Sequence, residues 1–205
     1  MTNRVHSLSE LLGTAAAQAV PVVRGIPDEH LGAPTPCAEY DVRELLTHLF
    51  QVVVNFQALA ARQPADFSEA PDLLRDGDWR TRFETETAKL VAAWAAPGAE
   101  EGTTGAMGLP ARTVGSMVLL DLTVHVWDLA RATGQPFAPD PAVVEGLAEE
   151  VERMAPMARK TKVFGDAVEL PETATTFERL LATTGRDPRA WDRVPGPGAR
   201  PGDAR

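Results

Sequence analysis

The sequence predicts an all-α fold, an antiparallel four-helix bundle with additional C-terminal helices. Three observations carry the helical reading. Long stretches repeat apolar residues at helical spacing, capping-box residues or glycine and proline mark their ends, and one short segment alone suggests β structure. With 205 residues and 44% hydrophobic content, the chain can bury one substantial core.

Ser7-Leu-Ser-Glu10 has the spacing of a capping box, and the helix it opens runs through Leu11, Leu12, Ala16 and Val20. Gly25 and Pro27 end it, with Pro21 in its last turn. Thr35 to Asp41 reads as a loop. Asp41 and Glu44 form a second capping box ahead of Val42, Leu45, Leu46, Leu49, Val52, Val53 and Phe56. A third helix is expected from about Asp78 to Trp94, with Phe83, Leu90, Val91 and Trp94 as its apolar stripe, stopped by Pro97-Gly98. Glu101 to Arg112 fits an irregular link or a short hairpin. The fourth helix spans about Thr113 to Ala132 and closes at Gly134.

Asp140-Pro141 supplies an N-cap and an N1 proline for a fifth helix through Val143, Val144, Leu147, Val151 and Met154. A shorter helix is expected near Ala174 to Leu181. From Arg186 the chain lacks periodic apolar residues, so the domain is drawn over residues 1–190, with a mobile tail over 191–205 rich in Pro, Gly and Arg. No internal repeat is visible.

Composition narrows the function classes. A formal charge of −9 without a basic stripe opposes binding to nucleic acid or an anionic membrane, both of which demand neutralised phosphate. The N-terminal residues carry no signal-peptide pattern and no apolar stretch of membrane-spanning length follows, so a cytoplasmic location is expected. The one cysteine, Cys37, excludes an internal disulfide and a Cys-rich zinc module, leaving nitrogen and oxygen as the main donors for any metal.

The residues with most chemical content lie in the run Asp121-Leu-Thr-Val-His125-Val-Trp-Asp128. Positions i and i+4 share a helix face, so Asp121 and His125 project together from a segment whose neighbours Leu119, Leu120, Leu122, Val124 and Val126 are apolar. Burying a polar group without a partner costs roughly 2 to 7 kcal/mol, and a divalent cation satisfies both. On the second helix His48 follows Glu44 by one turn. Alone it is more often a hydrogen-bonded core histidine than a ligand; with the Asp121–His125 pair it completes a facial set that leaves coordination positions open.

Around this set, Asp128 can accept the second ring N–H of a ligand histidine, or pair with Arg131 or Arg112 at the surface. Trp127 is read as core, with walling the pocket as the other role. Gln51 and Asn55, one and two turns beyond His48, could reach a ligand, although an exposed polar face accounts for them more simply. His6 and His30 are read as surface residues and Cys37 as a buried small hydrophobe. Arg159, Lys160 and Lys162, placed in a loop after the fifth helix, suit the negative end of its dipole as well as a carboxylate substrate.

Four segments together resemble a known family: Thr35-Pro-Cys-Ala-Glu-Tyr-Asp-Val-Arg-Glu-Leu-Leu-Thr-His48, Ala111-Arg-Thr-Val-Gly-Ser-Met117, Asp121 through His125 to Gly134, and Leu180-Leu-Ala-Thr-Thr-Gly-Arg-Asp-Pro188. They are similar to the DinB/YfiT-type metalloproteins, and more closely to the actinobacterial branch related to the metal-binding domain of mycothiol-dependent maleylpyruvate isomerase. The resemblance implies a four-helix bundle holding one divalent metal, zinc or nickel, through His48, Asp121 and His125. Two departures stand out. Asp121 occupies a place where many DinB-like proteins have His and the isomerase has Glu, and the isomerase's additional C-terminal domain is replaced here by a helix or two and a Pro/Gly-rich tail.

The expected function is therefore that of a metal-dependent transferase or isomerase acting through a low-molecular-weight thiol, mycothiol by resemblance, on an electrophilic small molecule. Two alternatives use the same residues: a metal-dependent hydrolase, with Asp128 as its one nameable base, and a non-catalytic, stress-related metal-binding protein. Exposed apolar helix faces would allow a homodimer.

Overall fold

The structure, a computed structural model, describes residues 6–68, 74 and 77–191. The chain is all-α, with seven α-helices, a short 3-10 turn and a two-stranded ribbon among the described residues. The first helix, α1 (Leu8–Arg24), opens on the reciprocal Ser7–Glu10 box and carries Pro21 inside its last turn. The 3-10 turn Asp28–His30 follows, and α2 (Val42–Ala60) opens on the Asp41–Glu44 box. Next come α3 (Trp79–Trp94), strands β1 (Thr103–Thr104) and β2 (Leu109–Pro110), and α4 (Ala111–Thr133). Gly134 ends α4 at φ 70°, a left-handed conformation that glycine adopts without steric cost.

Helices α1 to α4 form the bundle. Each of α1 and α2 packs on both α3 and α4, so α1 and α2 lie diagonally opposite and their connection, residues 25–41, crosses the bundle diagonal. Leu12, Leu46, Leu49, Phe50, Phe83, Leu90, Val118 and Leu122 fill the centre. A Cβ on Gly115 would stand 2.2 Å from Leu8 and 3.0 Å from the Trp94 ring, so the absent side chain admits both neighbours to α4. By length and apolarity α4 is capable of crossing a membrane. Because 83% of its apolar window is buried by the bundle, it is accounted for as a core helix.

Three further helices lie against this bundle. Asp140 caps α5 (Pro141–Lys160) with a hydrogen bond to Ala142 N, and α5 packs on α1 and α4. It extends beyond Met154, the last apolar position of the predicted helix, and contains Pro156. Arg159 and Lys160 thus lie in its last turn, correcting their assignment to a loop, and Arg159 donates to Thr183 O at 3.0 Å. A third capping box, Thr175 with Glu178, opens α6 (Thr176–Thr183), which rests on α5.

The chain does not become a tail at Arg186. A short helix, α7 (Pro188–Trp191), follows, and residues 192–205 lie outside the described residues. Just before Arg186, Gly185 at φ 90° crosses Gly165 so closely that a Cβ would come within 2.7 Å of the Gly165 Cα. His30 also departs from its surface reading: it is half-buried, and its buried Nδ1 has no partner among the described residues. His6 lies 3.9 Å from Glu10.

Candidate metal centre

Two adjacent helices supply the cluster. His48 projects from the second turn of α2, whose register is set by the Asp41–Glu44 box and by the buried Leu45, Leu46 and Leu49 around it. Asp121 and His125 project from one face of α4. One ligand atom from each of the three residues lies within 4.8 Å of the others. His125 Nε2 stands 3.7 Å from Asp121 Oδ1, near the roughly 3.4 Å that separates two ligands about 2.1 Å from a tetrahedral ion. The rings of His48 and His125 meet edge to face, with centroids 5.0 Å apart and planes at 84°. Two imidazoles and one carboxylate suit zinc, and nickel also accepts them.

Behind His125 the ring is held by its other nitrogen. Nδ1 lies 3.0 Å from Asp128 Oδ2, and Asp128 is completely buried. Arg186 closes the network from the segment after α6. Its Nε donates to both Asp128 oxygens at 3.0 Å and its Nη2 donates to Oδ2 at 2.9 Å. Arg186 also bonds the carbonyl and hydroxyl of Thr184 through Nη1. Arg186 Nη2 also lies 3.3 Å from His125 Nδ1; in the tautomer that carries its proton on Nδ1, His125 donates to Asp128 and leaves its Nε2 lone pair facing Asp121. Asp128 pairs with neither Arg131 nor Arg112 in these contacts, and its counter-ion is 58 residues away in sequence.

Electrostatics separates the two carboxylates. Burial raises the Asp121 pKa, against the opposing pull of His125 and Arg186. Burial also pushes Asp128 upward, but the His125 hydrogen bond and the Arg186 charge outweigh it and hold this carboxyl below the usual range. His48 is pushed down to about 4 by burial, with His125 and Arg186 acting in the same direction, so it is neutral at pH 7 with a lone pair to offer.

The diagonal connection walls the cluster. Thr35, buried, sets its Oγ1 2.7 Å from Tyr40 O and 3.0 Å from Cys37 O, which fixes the turn between them. Tyr40 stacks on His48 with ring centroids 5.5 Å apart and planes at 18°. Cys37, expected as a buried small hydrophobe, is half-buried, and its sulfur forms a second ligand-type group with His125 and Asp128, again within 4.8 Å. Burial raises the Cys37 pKa. Both Asp128 oxygens in that second group already accept from Arg186, whose positive charge opposes a cation there.

The remaining expected residues divide. Trp127 is 2% exposed and belongs to the core. Asn55 is engaged with the loop after α2, donating to Asp66 O at 2.9 Å and accepting from Asp66 N at 3.1 Å, while Gln51 is half-buried. Arg186 and Tyr40 carry no helical periodicity. Their one sequence signal was membership of the motifs quoted above. A separate surface groove of about 600 Å³ lies along α1, lined by His6, Glu10, Gly13, Thr14, Ala17, Gln18 and Asp140, and none of the cluster residues borders it.

Comparison with known proteins identifies the family. Residues 12–130 match the model of the mycothiol maleylpyruvate isomerase N-terminal domain, a span that contains His48, Asp121, His125 and Asp128 but ends before Arg186. Two Mycobacterium tuberculosis proteins, the uncharacterized proteins MT0763 (strain CDC 1551 / Oshkosh) and Rv0738 (strain ATCC 25618 / H37Rv), are each 32% identical over 168 residues, covering 78% of this chain and 87% of the relative. No solved structure matches significantly. The family match over more than half the chain, together with these relatives, establishes that the protein belongs to the mycothiol maleylpyruvate isomerase N-terminal domain family.

Proposed function

We propose that the protein binds one divalent metal, zinc in first place and nickel in second, through His48, Asp121 and His125, and uses it in a thiol-dependent transfer or isomerisation. The observation that carries this reading is the convergence of three nitrogen and oxygen ligand atoms within 4.8 Å on the side of His125 opposite its buried carboxylate partner. A cation held by these residues would favour the ionised form of a thiol beside it. The residues perform the rest. His48 offers a neutral lone pair and His125 its Nε2, Asp121 brings the negative charge, and Asp128 with Arg186 holds the His125 ring in one orientation.

Family membership makes a mycothiol-type thiol the first cosubstrate to test, with an electrophilic small molecule as its partner. A reduced thiol and a single cysteine fit a reducing compartment, hence the cytoplasm. The hydrolase alternative requires a free base, and Asp128 is committed to Arg186 and His125. A non-catalytic metal-binding role uses the same ligands without the thiol.

Elemental analysis of tag-free protein tests the metal. Near-stoichiometric metal in the wild type, lost in His48→Ala and His125→Ala, is expected; equal content in all three rejects the site. Thiol conjugation of an electrophile panel, with and without metal, tests the chemistry. No acceleration by the loaded protein would leave metal binding as its function.

A further inference from the structure

With Asp128 locked between His125 and Arg186, its carboxylate is not free to serve a ligand on the other side of His125. Tyr40 lies in front. Its backbone is fixed on every side: Tyr40 N donates to Cys37 O at 3.0 Å, the Thr35 hydroxyl meets Tyr40 O, and the next residues pair back as Val42 N to Ala33 O and Arg43 N to Leu31 O. Asp41 then caps α2. The ring has a fixed base and lies nearly parallel to His48, 5.5 Å between centroids. Its hydroxyl makes no hydrogen bond among the described residues, although it lies within electrostatic reach of Asp121. A phenol donates one hydrogen bond, and beside His48 this one is unused.

We infer that Tyr40 has two roles at the centre, holding the His48 ring in its ligand orientation and donating a hydrogen bond to an oxygen atom of a ligand bound at the centre beside His48. The inference rests on the metal reading above and adds a specificity to it. The site favours ligands that present an oxygen acceptor next to the group held by the cation, such as a carbonyl or carboxylate, over those that present none. No covalent step is assigned to Tyr40. Tyr40→Phe removes the donor and keeps the stack, whereas Tyr40→Ala removes both.

The test uses full-length protein loaded with cobalt(II), whose visible spectrum reports ligand exchange. Cobalt affinity is measured by chelator competition, and affinities for acetate, which carries oxygen acceptors, and ethanethiol, which carries none, by spectral titration. Tyr40→Phe is expected to bind cobalt and ethanethiol as the wild type does and acetate about tenfold more weakly. Tyr40→Ala is expected to lose about tenfold in cobalt affinity, the loss typical of a group that orients a metal ligand. Equal acetate affinity in wild type and Tyr40→Phe overturns the donor role, as does an equal weakening of acetate and ethanethiol. Unchanged cobalt affinity in Tyr40→Ala overturns the orienting role. A wild-type chain that takes up no metal rejects the metal centre itself, an outcome read before any Tyr40 variant is compared.

Discussion

His125 faces two clusters of ligand-type side chains, and they differ in how their charge is met. On the Nδ1 side, Asp128 accepts from His125 and three times from Arg186, so a buried carboxylate and a buried guanidinium neutralise each other with short, directed bonds. On the Nε2 side, Asp121 has a histidine at 3.7 Å and no guanidinium bonded to it among the described residues, and burial raises its pKa. Proximity is alike on both sides, since each supplies three candidate donors within 4.8 Å. Charge satisfaction distinguishes them. The side with a resident counter-ion is complete, whereas the other retains the stabilisation that a cation can supply.

Removing charge from each side should therefore have unequal consequences for the metal-free protein. Arg186→Met leaves Asp128 fully buried and ionised with only a histidine partner, and a loss of about 3–5 kcal/mol in urea unfolding is expected. Asp121→Asn removes a carboxylate whose charged form is disfavoured by burial, so its cost should stay below about 1 kcal/mol while metal uptake is lost. Equal destabilisation by the two substitutions would break the comparison.

Acid titration provides the next largest effect. His48 titrates near 4 in the folded chain and near its ordinary value of 6.5 when unfolded. Between these values the unfolded chain binds more protons, so stability rises with pH through the window, by at most about 3 kcal/mol. Asp121, with its pKa raised, acts in the opposite sense: the folded chain holds that proton longer, and stability falls as pH rises above 3.8. Unfolding of metal-free Asp121→Asn between pH 4 and 7 isolates the His48 contribution. A flat profile in that variant would show that His48 is not desolvated beside His125.

The sequence revealed the Nε2 side far better than the Nδ1 side, for a physical reason. Capping boxes at Ser7 and Asp41, the Gly134 terminus and the Asp121–His125 pair are local, within one or two helical turns, and local spacing determines which side chains share a face. Asp128, three residues after His125, was accessible by the same rule. Arg186 was not. It reaches Asp128 from 58 residues away, after a glycine that passes another chain segment at van der Waals distance, and no periodic pattern encodes that crossing. Tyr40 and Cys37 lie in a loop whose path depends on the diagonal placement of α1 and α2, a property of the assembled bundle.

Cys37 gives the finest discrimination between the sides. Thiolate is a strong zinc ligand, so if the Cys37, His125 and Asp128 group held the ion, Cys37→Ala would remove a donor and lower metal affinity by orders of magnitude. The geometry argues otherwise. Arg186 occupies both Asp128 oxygens, the Asp128 bond to Nδ1 directs the lone pair of His125 to the other side, and burial keeps the Cys37 thiol protonated. Metal affinity of Cys37→Ala within about twofold of wild type is therefore expected, measured by chelator competition on the same preparation as Asp121→Asn. A loss in Cys37→Ala matching that in Asp121→Asn would move the ion to the Nδ1 side, and Arg186 would then have to leave Asp128 for the metal to enter.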